Sequence, residues 1–199
     1  MSAAGRVVTG FSKPYVAEYA ANAGTVTYSN PELLARGVEV TLSPESSEDN
    51  KFYADNVIAE SASGIFTGGT VSLTVDGLFT ATKKKIFGLG NPDAEGWTAY
   101  KAGDSVPYVA VGYIARYMSD GVTTYVPTVL ARVKFSLPEE SASTQEDEID
   151  WQTTELTATL FRDETADQNW KFEGSAFTTE ALAEQALLTK LGYVSPITT

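Results

Sequence analysis

The run Tyr108-Val109-Ala110-Val111-Gly112-Tyr113-Ile114-Ala115-Arg116-Tyr117-Met118 is followed by Asp120-Gly121 and answered by Tyr125-Val126-Pro127-Thr128-Val129-Leu130-Ala131-Arg132-Val133-Lys134-Phe135. Aromatic and β-branched residues dominate both runs. An Asp-Gly pair between two such runs signals a β-hairpin, because the type I′ turn needs positive φ at both central residues. Centring the turn there predicts Tyr117 opposite Thr124, Tyr113 opposite Thr128, Val111 opposite Leu130 and Val109 opposite Arg132. Both faces of the hairpin are largely apolar. Each must therefore be covered, either by the rest of the chain's own fold or by another subunit.

Working outward, 199 residues at 43% hydrophobic are enough for a buried core, and all-β architectures of this size commonly form one domain. The sequence contains neither cysteine nor histidine. That removes disulfides, Cys-based metal sites, Ser-His-Asp and Cys-His nucleophile systems and the usual zinc sites. No catalytic residue, cofactor or metal is expected. With 14 basic and 26 acidic residues the formal charge is −12, which repels nucleic-acid phosphate. The first residues lack the apolar segment of a signal peptide, and no run approaches the roughly 18 apolar residues of a membrane helix, so synthesis and retention in the cytoplasm are expected.

Along the chain, residues 1–14 show no clear periodicity and are expected to be an arm. Residues 15–193 are expected to form a single domain and 194–199 a tail. Residues 15–20 and 25–28 suggest a strand pair about Asn22-Ala23-Gly24, and Val38, Val40 and Leu42 alternate with Glu39 and Thr41. Residues 43–50, with Pro44, Glu45, Glu48 and Asp49, read as a solvated loop. Val71, Leu73 and Val75 alternate with Thr70, Ser72, Thr74 and Asp76, as do Leu156, Ala158 and Leu160 with Glu155, Thr157 and Thr159. These are strands with one polar face.

A short helix is predicted over 79–87, with Phe79, Ile86 and Phe87 on one face, Lys83, Lys84 and Lys85 in its last turn and Gly88 as an αL cap. The lysines read as a solvated helix end rather than a phosphate grip. Gly88-Leu89-Gly90 lacks the third glycine of a dinucleotide fingerprint. Residues 88–106 read as a long loop pinned by Trp97 and Tyr100. Residues 138–150 hold six acids, Glu139, Glu140, Glu146, Asp147, Glu148 and Asp150, without a base; this composition suits a solvated loop and lacks the ligand spacing of a calcium loop. Trp170, Phe172 and Phe177 are expected in or over the core. A second helix is predicted over 179–191, with Thr179 as N-cap, Ala183, Leu187 and Leu191 on one side and Gly192 after it.

Several stretches, in this order, resemble the major tail protein family of long-tailed, non-contractile bacteriophages. They are Tyr53-Ala54-Asp55-Asn56, Thr67-Gly68-Gly69-Thr70 leading into Leu73-Thr74-Val75-Asp76-Gly77-Leu78, and the helix ending at Gly88. Val109-Ala110-Val111-Gly112-Tyr113, Lys134-Phe135-Ser136-Leu137-Pro138, 144–152 and Phe177-Thr178-Thr179-Glu180-Ala181 complete the likeness, which spans roughly residues 30–193. Order and spacing carry it rather than any one motif.

The resemblance implies a mainly β, sandwich- or barrel-like tail-tube fold with one short helix and one C-terminal flanking helix. It implies a structural virion protein of the phage tail, assembled in the host bacterial cytoplasm as stacked, six-fold rings through which DNA passes. Implied partners are copies of itself, a tape measure protein, a tail terminator and baseplate or distal tail proteins. The immunoglobulin-like domain that some relatives append at the C-terminus is not expected here. A conduit wall should be polar and neutral or acidic, since each cation paired with phosphate adds a binding step. Thr70, Ser72, Thr74, Asp76, Glu155, Thr157 and Thr159 are therefore the expected channel lining. Glu45, Glu48, Asp49, Glu146, Asp147, Glu148, Asp150, Tyr113 and Tyr117 are the expected subunit or ring contacts. The alternatives are another tail component such as a terminator, a carbohydrate-binding β-sandwich using Trp97, Tyr100 and Trp151, and a carboxylate glycosidase using Glu155 and Asp163.

Overall fold

The computed structural model describes residues 5–48, 50–54, 57–62, 64–140, 144 and 152–194. The fold is mainly β. In chain order the elements are β1 (Val7–Asn22), β2 (Thr25–Leu33), β3 (Gly37–Ser46), β4 (Asn50–Ala54), β5 (Val57–Ala62), β6 (Phe66–Val75), α1 (Thr80–Phe87), β7 (Val109–Ser119), β8 (Val122–Phe135), β9 (Thr154–Phe161), β10 (Lys171–Glu173) and α2 (Glu180–Lys190). Eight strands form one antiparallel sheet in the order β2-β1-β7-β8-β9-β6-β3, with β10 added beside β8; β4 and β5 make a separate two-stranded sheet. The large sheet coils, bringing β3 back against β1 and giving a sandwich-like body.

The hairpin forms where its turn residues require it. Asp120 and Gly121 have φ of 49° and 77°, as a type I′ turn demands. Tyr117 faces Thr124, Tyr113 faces Thr128 and Val111 faces Leu130, as expected; Val109 instead meets Val133, after a register shift. Side-chain chemistry explains the difference. Unbroken pairing would turn Arg132 inward with Leu130, whereas one extra residue on β8 reverses the parity and sends Val133 and Phe135 into the core.

Alternation along β7 then serves two cores. Val109, Val111, Tyr113 and Ala115 join Val71, Leu73 and Val75 of β6 and Leu156, Ala158 and Leu160 of β9 inside the coiled sheet, where Ile86 and Phe87 of α1 are also buried. Ala110 and Ile114 face the opposite way, with Ala17 and Val129, under Ala183, Leu187 and Leu191. The chain's own fold thus covers both faces of the hairpin. Thr179 caps α2 by accepting a hydrogen bond from the Leu182 amide at 3.4 Å, and Gly192 follows it at φ 78°, as expected.

Several expectations are corrected. Residues 7–14 are not a free arm but the first half of β1, paired with β7. Register shifts between Val8 and Gly10 and between Ser12 and Tyr15, with Lys13 at φ 51°, break the alternation that would have revealed a strand. The expected loop at 43–50 begins as strand, because β3 continues to Ser46 against β6. Gly69 makes this possible, since a side chain there would meet the Ser43 carbonyl, and Pro44 is tolerated on an edge strand. Phe79 does not share the buried face of α1: it precedes the helix in extended conformation and is 81% exposed. Trp97 and Tyr100 do not pin the loop after α1, being 75% and 55% exposed. Hydrogen bonds from the Glu95 and Trp97 amides to Asp93 Oδ1, at 3.0 and 2.8 Å, shape that loop instead.

Candidate functional site

The outer face of β3, β6 and β9 gathers small polar side chains that the topology brings together. Register sets Thr41, Ser72 and Thr157 side by side, then Ser43, Thr70 and Thr159 with Lys134 of β8, then Glu39, Thr74 and Glu155. The inner side of the same strands is the buried core, so burial of Val71, Leu73, Val75, Leu156, Ala158 and Leu160 forces the intervening residues outward. Ser72 Oγ donates to Glu155 Oε1 at 2.7 Å across the ladder. Six of the seven expected lining residues lie on this surface. Asp76 lies just beyond β6, where the Arg36 guanidinium and amide hydrogen-bond to its carboxylate and hold its pKa below the usual range.

Next to the polar face lies a cluster that local patterning did not reveal. The Arg132 guanidinium sits 3.9 Å from the centre of the Tyr108 ring, 5.5 Å from that of Tyr19 and 6.0 Å from that of Phe161, and pairs with Glu164 at 3.0 Å. Lys134 Nζ lies 5.6 Å from the Tyr108 ring centre. The cations bordering the polar face are therefore engaged by aromatic rings, and Arg132 by a carboxylate as well. The cluster joins residues from β1, β8 and β9, and its only sequence signal is an arginine where the β8 alternation changes parity.

The expected contact residues are divided. Glu45, at the end of β3, and Glu48 are exposed, whereas Asp49, Glu146, Asp147, Glu148 and Asp150 lie outside the described residues. Tyr113 is a correction: it is buried in the first core, edge-on to Phe11 at 6.1 Å, and burial pushes its hydroxyl up to about 12. Tyr117 is half-buried against the same core beneath the Arg6 guanidinium. The Tyr113 ring is thus taken up within the chain, whereas Tyr117 keeps part of its surface exposed.

Among the described residues, the glycosidase pair and the phosphate grip are not assembled. Glu155 lies six residues before the end of β9 at Phe161, about 20 Å at strand rise, and Asp163 lies two residues beyond that end, against the roughly 5–9.5 Å that glycosidic carboxylates need. Asp163 is buried and accepts from the Thr165 hydroxyl at 2.6 Å. Lys83 pairs with Glu140, Lys84 with Asn91, and Lys85 with Glu32 and the Asn30 carbonyl, so the triple-lysine run is not a free phosphate grip. Among the described residues no group of three or more acidic side chains could hold a metal ion. Of the suggested sugar platform, Trp97 and Tyr100 are exposed and Trp151 lies outside the described residues.

No protein-family model matches this chain, and no curated protein matches it either.

Proposed function

We propose that this chain is a structural subunit of a phage tail tube, assembling into stacked rings around a channel that passes DNA. The observation that carries the proposal is the Ser/Thr/Glu face of β3, β6 and β9, with its bordering cations held by aromatic rings. Such a surface offers duplex DNA hydration and weak repulsion rather than phosphate-binding steps. The order of strands and helices that resembles the tail-tube family supports it further. The two-sided apolar hairpin does not, because α2 and the coiled sheet cover it within one chain.

Negative-stain electron microscopy of the purified protein across rising concentrations, with light scattering alongside, tests the proposal. Rings or tubes are expected, alone or with an initiating tail component. A strictly monomeric mass at every concentration and with partner present would sink it. A second function, a carbohydrate-binding module, draws on the exposure of Trp97 and Tyr100, since aromatic faces stack on sugar rings. Glycan-array binding by a stable monomer, lost on Trp97→Ala, would favour it.

A further inference from the structure

Beside α2, the side chains of Pro127, Val129, Phe172, Phe177, Ala186 and Leu187 line an apolar cavity of about 280 Å³ that opens to solvent. Lys190 stands at this site with Nζ 3.8 Å from the Phe172 ring centre, and no described carboxylate forms an ion pair with it. Glu173 also lines the cavity, but its carboxylate is taken by Lys171 at 3.1 Å. The site is thus a largely apolar hole whose Lys190 sits over an aromatic ring and has no carboxylate partner among the described residues, on a molecule of net charge −12.

Trp97 has the converse features. Three-quarters of it is exposed, on a turn fixed by the Asp93 carboxylate and by the Asp93 amide donating to the Trp97 carbonyl at 2.9 Å. Two residues before it, Glu95 is exposed and forms no ion pair with a described residue. A large aromatic side chain on a fixed turn gives up little conformational freedom on docking, and tryptophan is enriched among residues that dominate binding energy. The loop bearing Trp97 springs from α1, which packs in the first core, while the cavity belongs to the second core on the other side of the sheet.

We propose that Trp97 of one copy seats in the α2 cavity of a second copy, with Glu95 meeting Lys190. This deepens the self-assembly reading and rests on it. Knob and hole occupy different surfaces of one chain, so the contact is head-to-tail and propagates into a ring or a filament rather than stopping at a symmetric dimer.

Two variants test it. Trp97→Ala removes the knob and keeps the cavity; Ala186→Trp fills the cavity and keeps the knob. In sedimentation experiments each alone is expected to self-associate on the order of 30-fold more weakly than the unmodified chain. Mixed in equal amounts they can make one productive contact per pair, giving a dimer of about 43 kDa (twice 21.3 kDa) that does not extend. Should Ala186→Trp fail to fold, the charge pair replaces it: Lys190→Glu and Glu95→Lys each weaken association, and the double variant restores it. Tubes from the unmodified chain with no dimer from the mixture, or without rescue by the double variant, would overturn the knob-and-hole contact and leave the tail-tube proposal standing. A dimer from the mixture without rings from the unmodified chain would do the reverse. If neither forms, both fall.

Discussion

Gly112 illustrates how one residue fixes the distance between two layers. A Cβ there would lie 2.7 Å from Leu187 Cδ1 and 3.0 Å from Leu191 Cδ1, so Gly112→Ala overpacks the second core. We expect a loss of about 1–3 kcal/mol, read as a lower urea midpoint with unchanged slope; an unchanged midpoint would show that the helix yields freely. Glu184 supplies a pH-dependent contact on the same helix. Burial disfavours its charge, but hydrogen bonds from Lys13 and from Tyr15, the latter at 2.7 Å, outweigh that effect and hold its pKa below the usual glutamate range. A depressed pKa contributes stability above the unfolded value and loses it as pH falls through the folded one. Glu184→Gln should therefore destabilise at pH 7 and cost little at pH 3; an equal cost at both pH values counts against the ion pair. Sequence reading could not reach this contact, because Lys13 and Glu184 are 171 positions apart and Lys13 lies where β1 is irregular. The Asp120-Gly121 turn was legible because its backbone requirement is carried by the two residues themselves.

At the scale of elements, α2 determines whether the hairpin stands alone. Its residues Ala183, Leu187 and Leu191 recur on one face, and that spacing made the helix readable from the chain. What the spacing did not disclose was the surface it covers, since β7 is apolar on both sides and a neighbouring subunit could have supplied the lid. Leu187→Ala should cost about 2–5 kcal/mol in a thermal or chemical melt and increase binding of a hydrophobic dye, because it opens a cavity over Ile114 and Val129. A loss under 1 kcal/mol would mean that the sheet tolerates poor cover on this side. β1 was only half legible for a different reason: its bulges change which residues face inward, and a period-two pattern cannot be read through them.

For the whole molecule, the polar face was legible as two separate alternating strands, and its assembly was not, because only pairing reveals that β6 lies between β3 and β9. The absence of cysteine makes single-cysteine probes unambiguous. If the chain assembles as proposed, Thr157→Cys should react with a small maleimide in free subunits and in tubes, and with a bulky maleimide only in free subunits; bulky labelling along intact tubes would place this face outside. Thr157→Lys should fold normally, as surface changes usually cost within about 0.5 kcal/mol. It should also make tubes retain DNA at low salt and release it as salt rises, measured by retention of DNA on purified tubes. Equal DNA retention by the unmodified and lysine-bearing tubes would deny the face contact with DNA.

The sharing of β7 and β8 between two cores also orders events during synthesis. Phe135 completes the hairpin, yet the side facing Leu187 and Leu191 stays bare until those residues emerge, 56 positions later for Leu191. At roughly 5–20 residues per second that is about 3–11 s in which this apolar side of the ribbon stands uncovered beside the ribosome. Nascent chains arrested shortly after Phe135 should therefore be captured by holdase chaperones, and chains arrested once Leu191 has cleared the exit tunnel should escape them. Equal capture at both lengths would show that the ribbon is shielded before its helix arrives.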